Sequence, residues 1–212
     1  MKANVGEILK ILNLHYPKDV PCFLNHSNPF ELLVATILSA QCTDERVNII
    51  TATLFRKYPC AESFASASAA ELEMDIKSAG FYKNKAKNII ATAATIVDKY
   101  DGQVPSEIED LVQLAGVGRK TANVIRGNIY HIPSIVVDTH VKRISTRWGF
   151  TESADPTKIE YELMELLPEE EWISYNIQVI MHGRAICTAR NPRCSQCMFL
   201  EQCPYELKQG IE

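Results

Sequence analysis

Lys120 stands in the run Leu-Ala-Gly-Val-Gly-Arg-Lys-Thr-Ala-Asn (Leu114–Asn123), directly after two closely spaced glycines, and Val-Asp-Thr-His follows at Val137–His140. Gly116 and Gly118 can adopt φ > 0 and leave backbone N–H groups uncovered. The helix expected to start at Arg119 adds unpaired N–H groups and a partial positive charge. Such a corner binds phosphate oxygens. An amine beside a phosphate-binding turn, with a carboxylate brought back toward it, suits chemistry on DNA. Taken alone, Gly-x-Gly before a helix also reads as a plain inter-helix turn, and Lys120 as a surface lysine.

The surrounding charge supports the first reading. From Leu111 to Phe150 six cations (Arg119, Lys120, Arg126, Lys142, Arg143 and Arg147) face Asp138 alone, whereas from Thr151 to Tyr175 eight acids face only Lys158. The overall charge of −4 therefore hides a basic region. A polarised protein can offer a basic face to nucleic acid and steer by it. Ordinary solvated helix faces are the competing explanation.

Near the C-terminus Cys187, Cys194, Cys197 and Cys203 form C-x6-C-x2-C-x5-C. The odd total of seven cysteines, with Cys22, Cys42 and Cys60, and no recognisable signal peptide argue for a reducing compartment and against disulfides. Four thiolates in so short a span read as metal ligands. Their spacing leaves zinc and a [4Fe–4S] cluster open, since both accept four thiolates. Between the first two cysteines Arg190 and Arg193, braced by Pro192, are placed to meet a DNA backbone.

These residues need a scaffold, and 212 residues with 46% hydrophobic content can build one or two cores. No apolar run approaches a membrane span, so a soluble chain without a membrane partner is expected. The periodicity is helical throughout. Asn28 and Pro29 start a helix running to Ala40, and Thr43 starts one with Val47, Ile50 and Leu54 inward. A third buries Ala86, Ile89, Ile90, Ala93, Ile96 and Val97 and stops near Asp101-Gly102. Later stripes comprise Ile159, Leu163, Leu166 and Leu167, then Ile173, Ile177, Ile180 and Met181 leading to Cys187. Only Ser134–Val137 reads as extended, which is too short for a sheet.

Geometry permits the two chemical candidates to meet. A helix from Arg119 to Tyr130 is about 18 Å long, and the stretch from His131 to Val137 reaches back about 23 Å if extended. Asp138 can also cap the helix that begins at Thr139.

Together, Leu114–Asn123, Val137–His140, His182-Gly183-Arg184, the cysteine array, Leu38-Ser-Ala-Gln-Cys-Thr-Asp44 and Gly80-Phe-Tyr-Lys-Asn-Lys-Ala86 resemble the bacterial endonuclease III family of DNA glycosylases. The resemblance implies an all-α protein of two helical domains with a helix-hairpin-helix motif and the DNA cleft between them. A barrel would span residues 22–132. Residues 1–21 plus 133–212 would form the second domain and hold a [4Fe–4S] cluster on Cys187, Cys194, Cys197 and Cys203.

Carried onto matching positions, Lys120 would be the nucleophile and Asp138 its essential carboxylate. Gly116, Gly118, Arg119, His140, Arg190 and Arg193 would contact DNA. Gln41 would enter the space left by the flipped nucleotide and Phe81 would wedge into the duplex; a helix-end amide and a core aromatic are the alternative readings of these two. Two positions depart from the family pattern, Ala115 where proline is usual and Phe81 where leucine is common. Loss of the proline would loosen the hairpin by about 0.4–1 kcal/mol through the unfolded chain.

The implied activity is that of a bifunctional DNA glycosylase and AP lyase. It would remove oxidised pyrimidines from double-stranded DNA through a lysine Schiff base and cut 3′ to the abasic site by β-elimination. A cytoplasmic monomer, nucleoid-associated when bound to damaged or abasic DNA, is expected. A mismatch-specific glycosylase of the same fold and a non-catalytic iron–sulfur DNA-binding protein are the alternatives.

Overall fold

The computed structural model describes residues 2–205. It contains helices and connecting turns, with no strand among the described residues. The helices are α1 Val5–His15, α2 Pro29–Leu38, α3 Asp44–Lys57, α4 Ala61–Ala65, α5 Ala69–Asp75, α6 Tyr82–Tyr100, α7 Ile108–Leu111, α8 Arg119–Ile129, α9 Thr139–Arg147, α10 Pro156–Leu166 and α11 Trp172–Ala185. Their starts follow local chemistry. Asn28 accepts from the Glu31 amide at 2.9 Å with Pro29 behind it, Thr43 accepts from Arg46, and Asp155 accepts from Thr157.

The chain divides into two compact units, Cys22–Ile132 and the pair of segments Met1–Pro21 and Pro133–Glu212. In the first unit α2 is buried on nearly every side, and Val47, Ile50, Leu54, Ala86, Ile89, Ala93 and Ile96 close around it. α2 stops at Leu38, two residues short of the expected end, because Ser39 turns its amide back to Ala35 and Thr36. α6 ends where Asp101 takes a left-handed φ of 49° before Gly102.

The second unit packs α1, α9, α10 and α11 around Trp148, Tyr175, Phe199, Ile159 and Leu163. Here one expectation fails. Ile173, Ile177, Ile180 and Met181 are only half-buried, and α11 turns inward the face carrying Ser174, Tyr175, Asn176, Gln178, Val179 and His182. The cause is hydrogen bonding, since buried polar groups are tolerated when partnered. Tyr175 meets Ser145 at 2.7 Å, Gln178 donates to Asn13 and to the Tyr16 carbonyl, and His182 Nδ1 meets the Tyr16 hydroxyl at 2.9 Å. Asn176 binds the Val136 amide and the Ser134 carbonyl, each at 3.0 Å. It thereby acts as a strand partner for the extended Ser134–Val137 segment, which has no sheet to join.

Candidate DNA-processing site

The glycine turn before Lys120 is built from two glycines with different tasks. Gly116 has φ of 75°, and a Cβ there would come within 2.6 Å of the Asn88 side chain. Both backbone and packing exclude a larger residue. Gly118 does not take the positive φ expected for it: its φ is −93° and its ψ 176°, and a Cβ would meet nothing within 4 Å. Its bare face leaves the backbone open to an approaching group. Thr92 donates to the Ala115 carbonyl at 2.8 Å, so α6 anchors the turn at the position where the family pattern has proline.

No side chain caps α8. Arg119 is half-buried, and Lys120, second residue of the helix, is exposed. An exposed amine one residue inside an uncapped helix start stands beside backbone N–H groups of the kind that bind phosphate.

Gln41 and Phe81 belong to the same unit as the hairpin. Both adopt left-handed backbone conformations, φ 54° and 48°, outside helices. Such strain at non-glycine residues persists only where the surroundings enforce it. Phe81 is 65% exposed, which rules out the core-aromatic reading, and Gln41 is exposed.

In the other unit, Asp138 caps α9, with Oδ1 accepting from the Val141 amide at 2.7 Å. The Asn176 clamp on Ser134 and Val136 fixes the chain that delivers it. His140 follows in the first turn, half-buried. The Arg143 guanidinium lies 3.1 Å from its Nδ1. A guanidinium only donates, so Nδ1 accepts and the neutral ring carries its proton on Nε2. Gly183 lets this region close: a Cβ there would come within 2.5 Å of His140 Nδ1.

Two cations counted toward the basic face, the half-buried Arg143 and the buried Arg147, are engaged by the cysteine loop. Arg143 donates to the Cys187 and Gly183 carbonyls. Arg147, 8% exposed, donates to Cys187 Sγ at 3.0 Å, to the Thr188 and Ala189 carbonyls, and lies over the Tyr205 ring. Spacing of i, i+4 on α9 aims both at the cysteine loop. The periodicity carried that signal; counting charges concealed it.

The four C-terminal cysteines line one small cavity together with Arg147, Trp148 and His182. None of the seven cysteines forms a disulfide. Burial pushes the Cys197 thiol up to about 11, and burial followed by the nearby Arg143 lowers His182 to about 4, so that ring is neutral. Among the described residues no three His, Cys, Asp or Glu side chains close on a single ion position; the thiols instead surround a space. A buried donor as strong as Arg147 on Cys187 suits a thiolate, so the donor set and its countercharge fit a thiolate-ligated cluster. Arg190 and Arg193 are exposed on the intervening loop, which the Thr188–Asn191 bond closes at 2.7 Å.

Residues 34–169 match the model of the HhH-GPD superfamily base excision DNA repair proteins. Endonuclease III of Synechocystis sp. is 48% identical over 204 residues, covering 96% of this chain and 93% of that protein. A trapped endonuclease III–DNA covalent intermediate superposes with a TM-score of 0.90 at 43% identity, covering 97% of this chain and 98% of the other. A non-covalent endonuclease III–DNA complex gives 0.92 at 42% identity, with coverage of 98% and 97%.

Proposed function

The chain belongs to the endonuclease III family of the HhH-GPD superfamily, the DNA glycosylase/AP lyases of base excision repair, and from that premise we propose that Lys120 is its nucleophile, acting on oxidised pyrimidines in double-stranded DNA. The observation that carries this reading is the exposed amine on the second residue of the uncapped α8, beside the open backbone of Gly118.

The chemistry follows from these groups. A base inside the stack is out of reach, so the damaged nucleotide must be extruded; Gln41 fills the gap and Phe81 wedges the duplex. Backbone N–H groups of the hairpin, with Arg119 and His140, grip phosphates, and Arg190 and Arg193 extend the contact. The neutral Lys120 amine attacks C1′, and the C1′–N bond to the base breaks with its electron pair leaving on the base. The sugar opens to an imine between Nζ and C1′. That imine acidifies the C2′ proton; its removal expels the 3′ phosphate by β-elimination, and water then releases the amine. Asp138 supplies negative charge as the sugar becomes cationic.

We assign the cavity of Cys187, Cys194, Cys197 and Cys203 to a [4Fe–4S] cluster, which when bound would tie the ends of the loop together. Purified protein is expected to be yellow-brown with about four irons per chain, and colourless protein with stoichiometric zinc would overturn the assignment. Cys197→Ser should lower the thermal midpoint and release iron, because ligation there is coupled to the packing of Trp148 and Phe199.

Substrate choice is tested by a panel of duplexes carrying an oxidised pyrimidine, an intact mismatch or a pre-formed abasic site. Base release with strand cleavage on the first is expected. Base release confined to the mismatch would overturn the oxidised-pyrimidine reading.

A further inference from the structure

Lys85 is a lysine at 4% exposure inside the Cys22–Ile132 unit. Its neighbours in the sequence, Lys83 and Lys87, are exposed. The Lys85 ammonium donates to the Leu38 carbonyl at 2.8 Å and to the Ala79 carbonyl at 2.9 Å. One nitrogen holds both, so these two oxygens lie within about 6 Å of each other.

The identity of the two carbonyls matters. Leu38 is the last residue of α2, three before Gln41, and its carbonyl is among those a helix end leaves without an intrahelical partner. Ala79 ends the short 3-10 turn Lys77–Ala79, two residues before Phe81. From each anchored carbonyl the chain enters a left-handed non-glycine residue, Gln41 on one side and Phe81 on the other, with Gly80 at φ 70° between Ala79 and Phe81. The amide of Lys85 itself donates to the Phe81 carbonyl at 3.1 Å. A buried cation at two helix ends also meets their partial negative charge.

We propose that Lys85 is a positioning residue that fixes the Gln41 and Phe81 loops in one register, so that gap filling and duplex wedging occur as a single event. This rests on the insertion roles assigned above to Gln41 and Phe81. An ammonium suits the task because its three donors radiate from one point and can serve carbonyls from two separate segments. An apolar side chain of equal length leaves both carbonyls buried and unpaired, and the two loops lose their common anchor.

The test compares two DNAs that differ in whether a stack must be invaded: an abasic site in a paired duplex, and the same abasic site in single-stranded DNA. Borohydride trapping rates are measured on both for wild type, Lys85→Met, Gln41→Ala and Phe81→Ala, with the thermal midpoint of each variant. Lys85→Met should lose about 100-fold on the duplex, the scale of a small misplacement at a reaction centre, and stay within about threefold of wild type on the single strand. A purely structural role would depress both rates alike, and that outcome overturns the proposal. Should Lys85→Met fail to fold, Lys85→Arg carries the same comparison with smaller amplitude, because its planar fork spreads the donors. If Gln41→Ala and Phe81→Ala show the duplex-specific loss and Lys85 variants do not, only the Lys85 proposal fails. If the Gln41 and Phe81 variants show no duplex-specific loss, the insertion reading itself fails.

Discussion

Lys120→Gln should reduce strand cleavage at an oxidised pyrimidine to background, a loss of at least about four orders of magnitude, while the protein stays folded. The side chain is exposed at the second residue of α8 and Gln has nearly the same helix propensity as Lys. The stability change should therefore be within about 0.5 kcal/mol. The chemistry is removed because an amide nitrogen cannot form the imine on which the β-elimination depends. Lesion binding should persist, since the hairpin amides and the surrounding cations are untouched. Single-turnover nicking and a thermal melt together check this, and an active Lys120→Gln protein would mean another amine or an activated water does the work.

Asp138→Asn should slow base release by about 10²–10³-fold, the usual effect of deleting one preorganised electrostatic contact to a transition state. The substitution is well suited to the question. Asn is as good an N-cap as Asp, so its side-chain oxygen can still accept from the Val141 amide and α9 should form unchanged. What disappears is the charge. Affinity for lesion DNA should stay within a few fold, because the contact gains its importance only as the sugar becomes cationic. An unchanged rate of base release, or a loss of binding that parallels the loss of rate, would remove Asp138 from this role.

How far these sites could be read without coordinates varies by residue. Apolar stripes on α2, α3, α6 and α10 gave most of their inward faces, because the apolar residues dominate there, although Lys85 and Thr92 on α6 and Glu160 on α10 are buried beside them. On α11 the same rule chose the wrong face: Tyr175, Gln178 and His182 satisfy one another's neighbourhood through Ser145, Asn13 and Tyr16, and periodicity of apolar residues cannot register that. The two hairpin glycines looked equivalent in sequence. Their difference comes from Asn88, which crowds Gly116 and leaves Gly118 bare. Arg143 and Arg147 were indistinguishable from DNA-facing cations until their i, i+4 spacing was seen to meet the cysteine loop. Lys85 hid within a run of alternating lysines, although its spacing to Ile89, Thr92 and Ile96 places it on the buried stripe of α6. Charge alone suggested solvent there; position on the helix said otherwise.

The central claim is that the Lys120 amine becomes covalently joined to the sugar. Wild-type protein should be trapped with borohydride on a duplex containing an oxidised pyrimidine, digested with a protease, and the peptide carrying the reduced sugar sequenced by mass spectrometry. The adduct mass should fall on Lys120 and on no other lysine. An adduct on Lys142 or Lys85, or base release with no adduct at all, would contradict the account.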